Sequence, residues 1–238
     1  KSLGDCHARS QDGSASQGLM NPQALRDQVL AALPQTQCTR CGFPDCAAYA
    51  QAIAEQQAPL NQCPPGGQEG IERLARITGQ PVLPLNPDHG VETPRTVAWI
   101  EEDTCIGCTL CIKACPTDAI VGTHKRMHTV IEPYCTGCEL CIPVCPVDCI
   151  RVDNVSGDAT GWNAWSTAQA DLARTRYEAR GRRLSREAQE HDERLQAKAH
   201  VKLADLSGHT HTSASDVAAV DRKKAIIEAA LARAKSRQ

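Results

Sequence analysis

The feature that most constrains this chain is a cysteine-rich segment that occurs twice, 30 residues apart. Aligning residues 105–120 with residues 135–150 gives ten identities in 16 positions. The identities include four Cys in each copy and the Pro that follows the fourth, so each copy has the spacing C-x2-C-x2-C-x3-C-P. A match of this kind predicts two copies of one structural unit.

The spacing within each copy suits an iron-sulfur cube. Three thiolates on a tight loop can bind three irons of a [4Fe-4S] cluster, but the same loop cannot also supply the fourth ligand. In the two-cluster arrangement that ligand is the fourth Cys of the other copy. We therefore expect one cluster to be bound by Cys105, Cys108, Cys111 and Cys145, and another by Cys135, Cys138, Cys141 and Cys115.

Zinc sites and disulfide bonds are the two alternatives to clusters in this repeat. Zinc sites usually pair two C-x2-C units, and a disulfide framework has no use for triplets at this spacing, so clusters are favoured. Gly107 and Gly137 occupy the same place in the two loops. A glycine there lets the backbone turn closely around the sulfurs.

A further set of cysteines lies upstream, with the spacing C-x2-C-x4-C-x16-C. Its members are Cys38, Cys41, Cys46 and Cys63. Spacing alone fits zinc almost as well as a cluster, but the two clusters expected nearby favour a third [4Fe-4S] cube. Two cysteines are left over: Cys149, which we expect to be a small buried core residue, and Cys6, which we expect to be incidental.

The order of local signals predicts an α+β chain of five parts. Residues 1–20 are rich in Gly, Ser and Gln and predict a flexible leader. The parts that follow are a helical four-Cys domain over 21–79, a Pro-rich linker over 80–95, a two-cluster bacterial ferredoxin-like domain over 96–161, and extended charged helices over 162–238.

Three helices are expected in the four-Cys domain. The first begins with Asn21 as N-cap and Pro22 at the first helical position, and ends before Pro34. The second covers 47–58, and the third covers 68–78 with Gly79 as its stop. Gly66, Gly67 and Gly70 precede or open the third helix without the Lys-Ser/Thr of a phosphate loop, so a simple turn is expected there.

The C-terminal part carries charge of the opposite sign to the rest. Residues 1–161 hold 11 Lys+Arg against 18 Asp+Glu, whereas residues 162–238 hold 15 against 10. A long exposed helix with a weak point at Gly181 is expected, then a break over 207–212 and a basic helix that begins at a Ser213–Asp216 capping box and runs through Ala234. Docking to a partner protein is favoured over nucleic-acid binding, since the last helix has no aromatic residue to stack on bases.

Other candidate sites are weaker. His124 and His128 lie between the repeats, where a solvated hairpin is a better explanation than a metal site, and His209 and His211 belong to the expected break. No nucleotide or flavin motif is visible. No apolar run approaches the roughly 18 residues that a spanning helix needs, so no direct membrane span is expected in this sequence.

The order of motifs resembles the B subunit of the Rnf/Rsx-type ion-translocating electron-transport complex. The phrases RCGFPDCAAYAQAI and NQCPPGG, the Pro-rich linker and the two C-x2-C-x2-C-x3-C-P repeats carry the resemblance, over about residues 25–155. The usual member also has an N-terminal membrane helix, which this sequence does not show.

The resemblance implies an electron-transfer subunit without a catalytic site of its own. It would relay low-potential electrons between a soluble ferredoxin-type or NAD-linked donor and other subunits, at the cytoplasmic side of the inner membrane or in the cytoplasm. Acidic residues beside the cluster loops would lower the reduction potentials and steer a basic partner, namely Glu101, Glu102, Asp103 and Glu139. The rival functions are an accessory protein of a corrinoid methyl-transfer or other redox enzyme, and a scaffold with structural metal sites.

Overall fold

The computed structural model describes residues 21–205 and 217–235. The expectations for the 1–20 leader with Cys6, for the 207–212 break with His209 and His211, and for the Ser213–Asp216 capping box lie outside the described residues. The elements are α1 (Pro22–Ala32), α2 (Cys46–Ala54), α3 (Gly67–Thr78), β1 (Thr96–Ile100), α4 (Leu110–Ala114), β2 (Ile120–Val121), β3 (Thr129–Val130), β4 (Ile150–Asn154), α5 (Thr167–Ala204) and α6 (Val217–Lys235), with short 3-10 turns at Pro87–His89, Glu132–Tyr134 and Gly161–Ala164. This mixture of helices and small sheets confirms the α+β class.

Local capping signals set the ends of α1 and α3 as expected. The side chain of Asn21 accepts a hydrogen bond from the backbone N–H of Gln23 at 3.0 Å, and Pro22 opens α1. Gly79 ends α3 in the left-handed conformation, with φ 70°. Both ends satisfy backbone groups that a helix terminus leaves unpaired.

Helix α2 ends at Ala54, four residues earlier than the sequence suggested. Gln56 has φ 58°, which ends the helical path, and the carbonyl of Ala52 accepts from the N–H groups of Gln57 and Ala58. The Tyr49 hydroxyl then bonds the carbonyl of Pro59 at 2.8 Å. The helix therefore ends in a left-handed turn at Gln56, before Pro59 is reached.

Contacts divide the described chain into two units. The first contains 21–98, 136–139 and 152–170, and the second contains 99–135, 140–151, 171–205 and 217–235. In the first unit, α1 packs against α2 and α3. Its core is formed by Val29, Leu30, Leu33, Tyr49, Ala50, Ile53, Leu60, Ile71 and Leu74, together with Cys41, Cys46 and Cys63.

The first unit includes a contribution from far along the sequence. Trp162 is only 3% exposed, and its indole N–H donates to the carbonyl of Ala32 at 2.9 Å. A Cβ on Gly70 would lie 3.1 Å from the Trp162 ring, tighter than an ordinary van der Waals contact, so a larger residue there would require the ring to shift by a few tenths of an ångström. Arg73 places its guanidinium 4.3 Å from the centre of the same ring.

The second unit is built around the β2–β3 hairpin. The two strands are antiparallel, with Ile120 opposite Val130 and Val121 opposite Thr129, and α4 contacts β2. The N–H of Ile131 donates to the carbonyl of Ala119 and extends this pairing. A separate two-stranded sheet is formed by β1 and β4.

Helix α5 runs for 38 residues without a break at Gly181. The leucines on its expected apolar face remain well exposed, from 38% at Leu172 to 51% at Leu195. A helix of this kind is stabilised by polar contacts more than by an apolar face.

Candidate metal centres

The first cysteine set lies entirely in the first unit. Cys38 and Cys41 are on the loop between α1 and α2, Cys46 is the first residue of α2, and Cys63 precedes α3. All four are buried, with 8–9% exposure. The helices thus carry the four thiols inward, where they face one another and not solvent.

The thiols of this set are close enough to influence one another's ionisation. Burial is the main reason that the pKa of Cys63 lies well above its usual value, and negative charge on Cys46 and then Cys38 raises it further. Burial also raises the pKa of Cys46 and Cys41. Thiolates gathered in this way need a bound cation to compensate them, which is the electrostatic requirement that iron or zinc meets.

The backbone on both sides of Cys38 has an unusual conformation that was not predicted from the sequence. Gln35, Gln37 and Thr39 all have positive φ, at 60°, 55° and 60°. Left-handed residues that alternate with others are typical of backbone concavities whose N–H groups bind anions, including iron-sulfur clusters. Because none of the three is a glycine, no local signal in the sequence marked them.

Buried side-chain bonds hold this loop in place. The side-chain oxygen of Gln37 accepts from the N–H of Cys46 at 3.0 Å, and its amide donates to Gln35 at 3.2 Å. Gln35 in turn donates to the carbonyl of Leu30 at the end of α1. The strain of the left-handed residues is therefore offset by a chain of buried hydrogen bonds.

The two repeat loops adopt the same backbone conformation. Equivalent positions have nearly equal positive φ: 67° and 63° at the glycines, 66° and 62° two residues later, and 50° and 49° after the Cys-Pro step. The pairs are Gly107 with Gly137, Thr109 with Glu139, and Asp118 with Asp148. The repeat seen in the sequence is thus also a repeat of local structure.

The expected need for glycine is met at both loops. A Cβ on Gly107 would lie 2.4 Å from the backbone N of Arg126, and a Cβ on Gly137 would lie 2.4 Å from the carbonyl oxygen of Thr96. Both neighbours are backbone atoms that cannot swing away.

The fourth Cys of each copy accepts a backbone hydrogen bond. The N–H of Ala119 donates to the Sγ of Cys115 at 3.2 Å, and the N–H of Cys149 donates to the Sγ of Cys145 at 3.4 Å. Burial opposes ionisation of Cys145, but hydrogen bonds from Cys149, Val147 and Asp148 outweigh it and lower its pKa. N–H groups directed at a sulfur in this way stabilise a thiolate ligand and tune a bound cluster.

The second cysteine set is brought together within the second unit. Burial, followed by charge on Cys108 and Cys105, raises the pKa of Cys111 to about 11. Burial also raises the pKa of Cys149 to about 12, with added contributions from Cys145 and Cys105. Cys105 therefore interacts both with its own loop and with Cys149, whose sulfur is 3.5 Å from that of Cys145.

The members of the third set occupy equivalent positions. Cys115 and Cys141 are buried, whereas Cys135 and Cys138 are half-buried. Cys115 follows the last residue of α4, and its N–H donates to the carbonyl of Cys111. Cys138 lies in the 136–139 segment that belongs to the first unit.

His128 is a neighbour of these sites that sequence reasoning placed wrongly. We expected it in a solvated hairpin, but its side chain is only 1% exposed and its Nδ1 lies 3.3 Å from the Sγ of Cys111. The ring fits because it passes over Gly122, where any Cβ would lie 2.2 Å from it. With hydrogen on Nδ1, the ring donates to the sulfur, whereas His124 is exposed as expected.

If Cys111 binds a cluster as expected, His128→Phe should lower the reduction potential of that centre. A hydrogen bond to a charged group contributes about 1.5–3 kcal/mol, so its loss should decrease the reduction equilibrium constant about tenfold. Little stability should be lost, because Nε2 is buried without a partner. EPR-monitored redox titration measures the shift, with His124→Phe as the control; equal potentials in the two variants would contradict the role of His128.

Two cysteine-bearing loops contact each other inside the first unit. The hydroxyl of Thr136 donates to the carbonyl of Thr36 at 3.0 Å, and Arg40 pairs with Glu139 at 2.8 Å. Arg40 thus partly compensates the charge of Glu139, one of the acidic residues expected beside the cluster loops. Of the other acidic residues, Glu101 accepts from the Thr104 hydroxyl, while Glu102 and Asp103 are exposed.

The thirteen cysteines among the described residues are all free of disulfide bonds. In the same ranges, no three His, Cys, Asp or Glu side chains are arranged to hold a single metal ion. Each thiolate of a [4Fe-4S] cube binds a separate iron, so the cube requires a different arrangement.

The helices of the described chain have no membrane-spanning character. Across residues 21–205 and 217–235, none combines the length and the apolar composition that a crossing requires.

Comparison with known families supports an iron-sulfur protein. A family profile described as a 4Fe-4S dicluster domain matches residues 98–152, and a second profile, described as a putative Fe-S cluster, matches residues 33–65. Together the two matches include all twelve cysteines of the three expected sets.

Curated proteins named as the B subunit of an ion-translocating oxidoreductase complex are similar to most of the described chain. The protein from Azoarcus sp. (strain BH72) is 58% identical over 138 residues, which is 58% of this chain and 75% of the relative. The protein from Alkalilimnicola ehrlichii is 55% identical over 152 residues, which is 63% of this chain and 81% of the relative. The match to Thiobacillus denitrificans is 57% identical over 107 residues and spans 45% of this chain and 57% of the relative.

Proposed function

Because the chain belongs to the family of B subunits of ion-translocating oxidoreductase complexes, we propose that it relays electrons one at a time through three [4Fe-4S] clusters. The donor would be a soluble ferredoxin-type or NAD-linked protein, and the acceptors would be other subunits of a membrane-associated complex. The chain would work at the cytoplasmic side of the inner membrane or in the cytoplasm, because free thiols and clusters persist in a reducing compartment.

The observation that carries this proposal is the structural equivalence of the two repeat loops. Nearly equal φ angles at three pairs of positions, and a backbone N–H donated to Cys115 and to Cys145, support the same ligand arrangement in both loops. Two equivalent loops, each with three cysteines and a displaced fourth, are the arrangement of a two-cluster ferredoxin.

The donor sets fit the proposed clusters. Each set supplies four thiols and no nitrogen or oxygen ligand, and all twelve are buried or half-buried. A bound cluster would supply reversible one-electron chemistry. The protein's part is to hold the sulfurs, exclude water and direct N–H groups at them, which together set the potential.

The contact between the Cys38 loop and the Cys138 loop suggests where the relay connects. The bond from Thr136 to Thr36 joins residues that are each two positions away from a proposed ligand. Arg40, between Cys38 and Cys41, pairs with Glu139, which follows Cys138. We therefore propose that the first set connects to the relay through Cys138, on the loop that it contacts within the first unit.

Iron and acid-labile sulfide analysis of anaerobically prepared protein, followed by an EPR-monitored redox titration, tests the proposal. We expect about twelve irons per chain and three reducible centres. About eight irons with one zinc would restrict the relay to the repeat loops. Metals that cannot be reduced would leave a structural scaffold, and a bound corrinoid would indicate a methyl-transfer accessory.

Variants of two neighbouring cysteines test the ligand assignment. We expect Cys145→Ala to abolish the EPR signal of the second centre and Cys149→Ala to leave it intact, although the two sulfurs are 3.5 Å apart. The reason is that only Cys145 receives the converging N–H groups, while the first repeat has Ala119 at the place of Cys149. The assignment is wrong if the two variants show the opposite pattern.

A further inference from the structure

Helix α5 contacts the repeat region through three arginines that all lie in the second unit. Arg176 donates from Nε to the carbonyl of Thr117 at 2.7 Å and from Nη2 to the carbonyl of Asp118 at 3.0 Å. Its guanidinium also lies 3.6 Å from the centre of the Tyr134 ring. These three contacts fix the position of its charge.

The other two arginines surround Asp118. Arg183 donates from Nη2 to both carboxylate oxygens of Asp118, at 2.8 and 2.9 Å. Arg180 lies 3.4 Å from the same carboxylate and also donates to the carbonyl of Lys113. Nη1 of Arg183 also donates to the carboxylate of Glu187, at 3.0 and 3.2 Å. Three positive charges therefore face two carboxylates here, and the cluster of side chains keeps a net positive charge.

The groups that these arginines bind lie next to a proposed cluster ligand. Cys115 sits between Lys113 and Thr117, and the Thr117 hydroxyl is 3.8 Å from its sulfur. Thr117 is 1% exposed and donates to the carbonyl of Tyr134 at 2.8 Å, so the loop is rigid. The arginine charges are thus fixed within a few residues of the Cys115 sulfur.

The second copy of the repeat lacks this arrangement. Asp148 is the equivalent of Asp118 and has the same backbone conformation. Within the part of the chain that the structure describes, Asp148 pairs with no arginine. The two otherwise equivalent loops therefore differ in local charge.

We propose that Arg176, Arg180 and Arg183 of α5 raise the reduction potential of the centre that Cys115 helps to bind, and so make it the preferred electron acceptor of the ferredoxin-like pair. This inference rests on the proposed relay function. Adding an electron makes a cluster more negative, and fixed positive charge nearby stabilises that state. Arginine suits this role because its guanidinium stays charged at every physiological pH.

The test compares two triple variants of the full chain, loaded with clusters under anaerobic conditions. One is R176Q/R180Q/R183Q. The control, R174Q/R182Q/R186Q, removes the same charge from the same helix, at arginines that pair only with Glu178 and Glu190 of α5. The Cys115-dependent EPR signal is identified as the one missing from Cys115→Ala, and its midpoint potential is then titrated.

We expect the first triple variant to decrease the reduction equilibrium constant of that centre about tenfold, equivalent to about 59 mV for one electron. The control should leave it near the wild-type value. An unchanged potential in the first variant, or an equal shift in the control, overturns the inference. If the wild-type chain shows no EPR signal that Cys115→Ala removes, the relay proposal itself is overturned. Wild-type and Cys115→Ala are compared before any arginine is changed.

A charge-preserving variant separates charge from packing. R176K/R180K/R183K keeps the positive charges but loses the forked hydrogen bonds, so its potential should stay near the wild-type value. A shift as large as in the Gln variant would overturn the role of charge. If the triple Gln variant loses its clusters, the single variant Arg183→Gln is used, because it leaves the bonds of Arg176 in place. A smaller shift of the potential in the same direction then supports the inference. An unchanged potential overturns it.

Discussion

Replacing Cys63 by Ala is expected to lower the iron content from about twelve to about eight per chain and to abolish one of three reducible centres. Cys63 is buried at 9% exposure, and its ionisation is coupled to Cys46 and Cys38. A [4Fe-4S] cube binds four thiolates. When one of them is removed from a site that has no other ligands, nothing replaces it at its iron. Iron analysis and EPR of the same sample measure both losses.

The matched control is Cys149→Ala, which removes an equally buried thiol outside the proposed ligand sets. Cys149 is 3% exposed, as expected for a core residue, and its variant should retain about twelve irons. Full iron content in the Cys63 variant would show that this residue is not a ligand.

Replacing Trp162 by Ala is expected to destabilise the first unit by about 3–5 kcal/mol. The variant removes a buried ring that packs against Gly70 and Arg73, and it leaves the carbonyl of Ala32 without its indole donor. Hydrogen exchange of the amides in α1 and α3 reports this local stability. Their exchange should accelerate by roughly two to three powers of ten, since each 1.4 kcal/mol corresponds to a factor of ten.

Two further tryptophan variants make this result specific. Trp99 is 43% exposed, so Trp99→Ala should change the free energy of unfolding by less than about 0.5 kcal/mol. Trp162→Phe keeps most of the ring and should lose only about 0.5–1.5 kcal/mol with the hydrogen bond. Equal effects of the two Ala variants would mean that Trp162 does not hold the unit together.

Much of the fold was predictable because its signals are local. Asn21 with Pro22 starts α1, Gly79 stops α3, and the two cysteine loops need glycine at Gly107 and Gly137. Each signal acts within a few residues of the structure that it causes, so the sequence alone is sufficient to interpret it.

The features that were missed depend on contacts between distant residues. The burial of His128 follows from the space above Gly122, whereas the early end of α2 follows from a left-handed non-glycine residue, Gln56, that no local signal marks. The docking of Trp162 joins residues 130 positions apart. No pattern of local hydrophobicity encodes such pairs.

The candidate sites likewise combine features that local sequence predicts with features that depend on contacts between distant residues. Cysteine spacing was enough to predict iron-sulfur chemistry and to propose three ligand sets, because that chemistry restricts which spacings work. The groups that surround the sulfurs were not predictable: the left-handed Gln35 and Gln37, the ring of His128 and the arginines of α5. They act through the tertiary structure, and a single sequence does not show which of many polar residues will lie beside a ligand.

The bond between Trp162 and Ala32 also has a consequence for biosynthesis. A ribosome that adds about 5–20 residues per second needs roughly 5–20 s to extend the chain from Cys63 to Trp162. During that interval, the nascent chain already carries the four cysteines of the first set but lacks the residue that closes their domain. The packing of this domain is therefore complete only once the ferredoxin-like repeats have also been made.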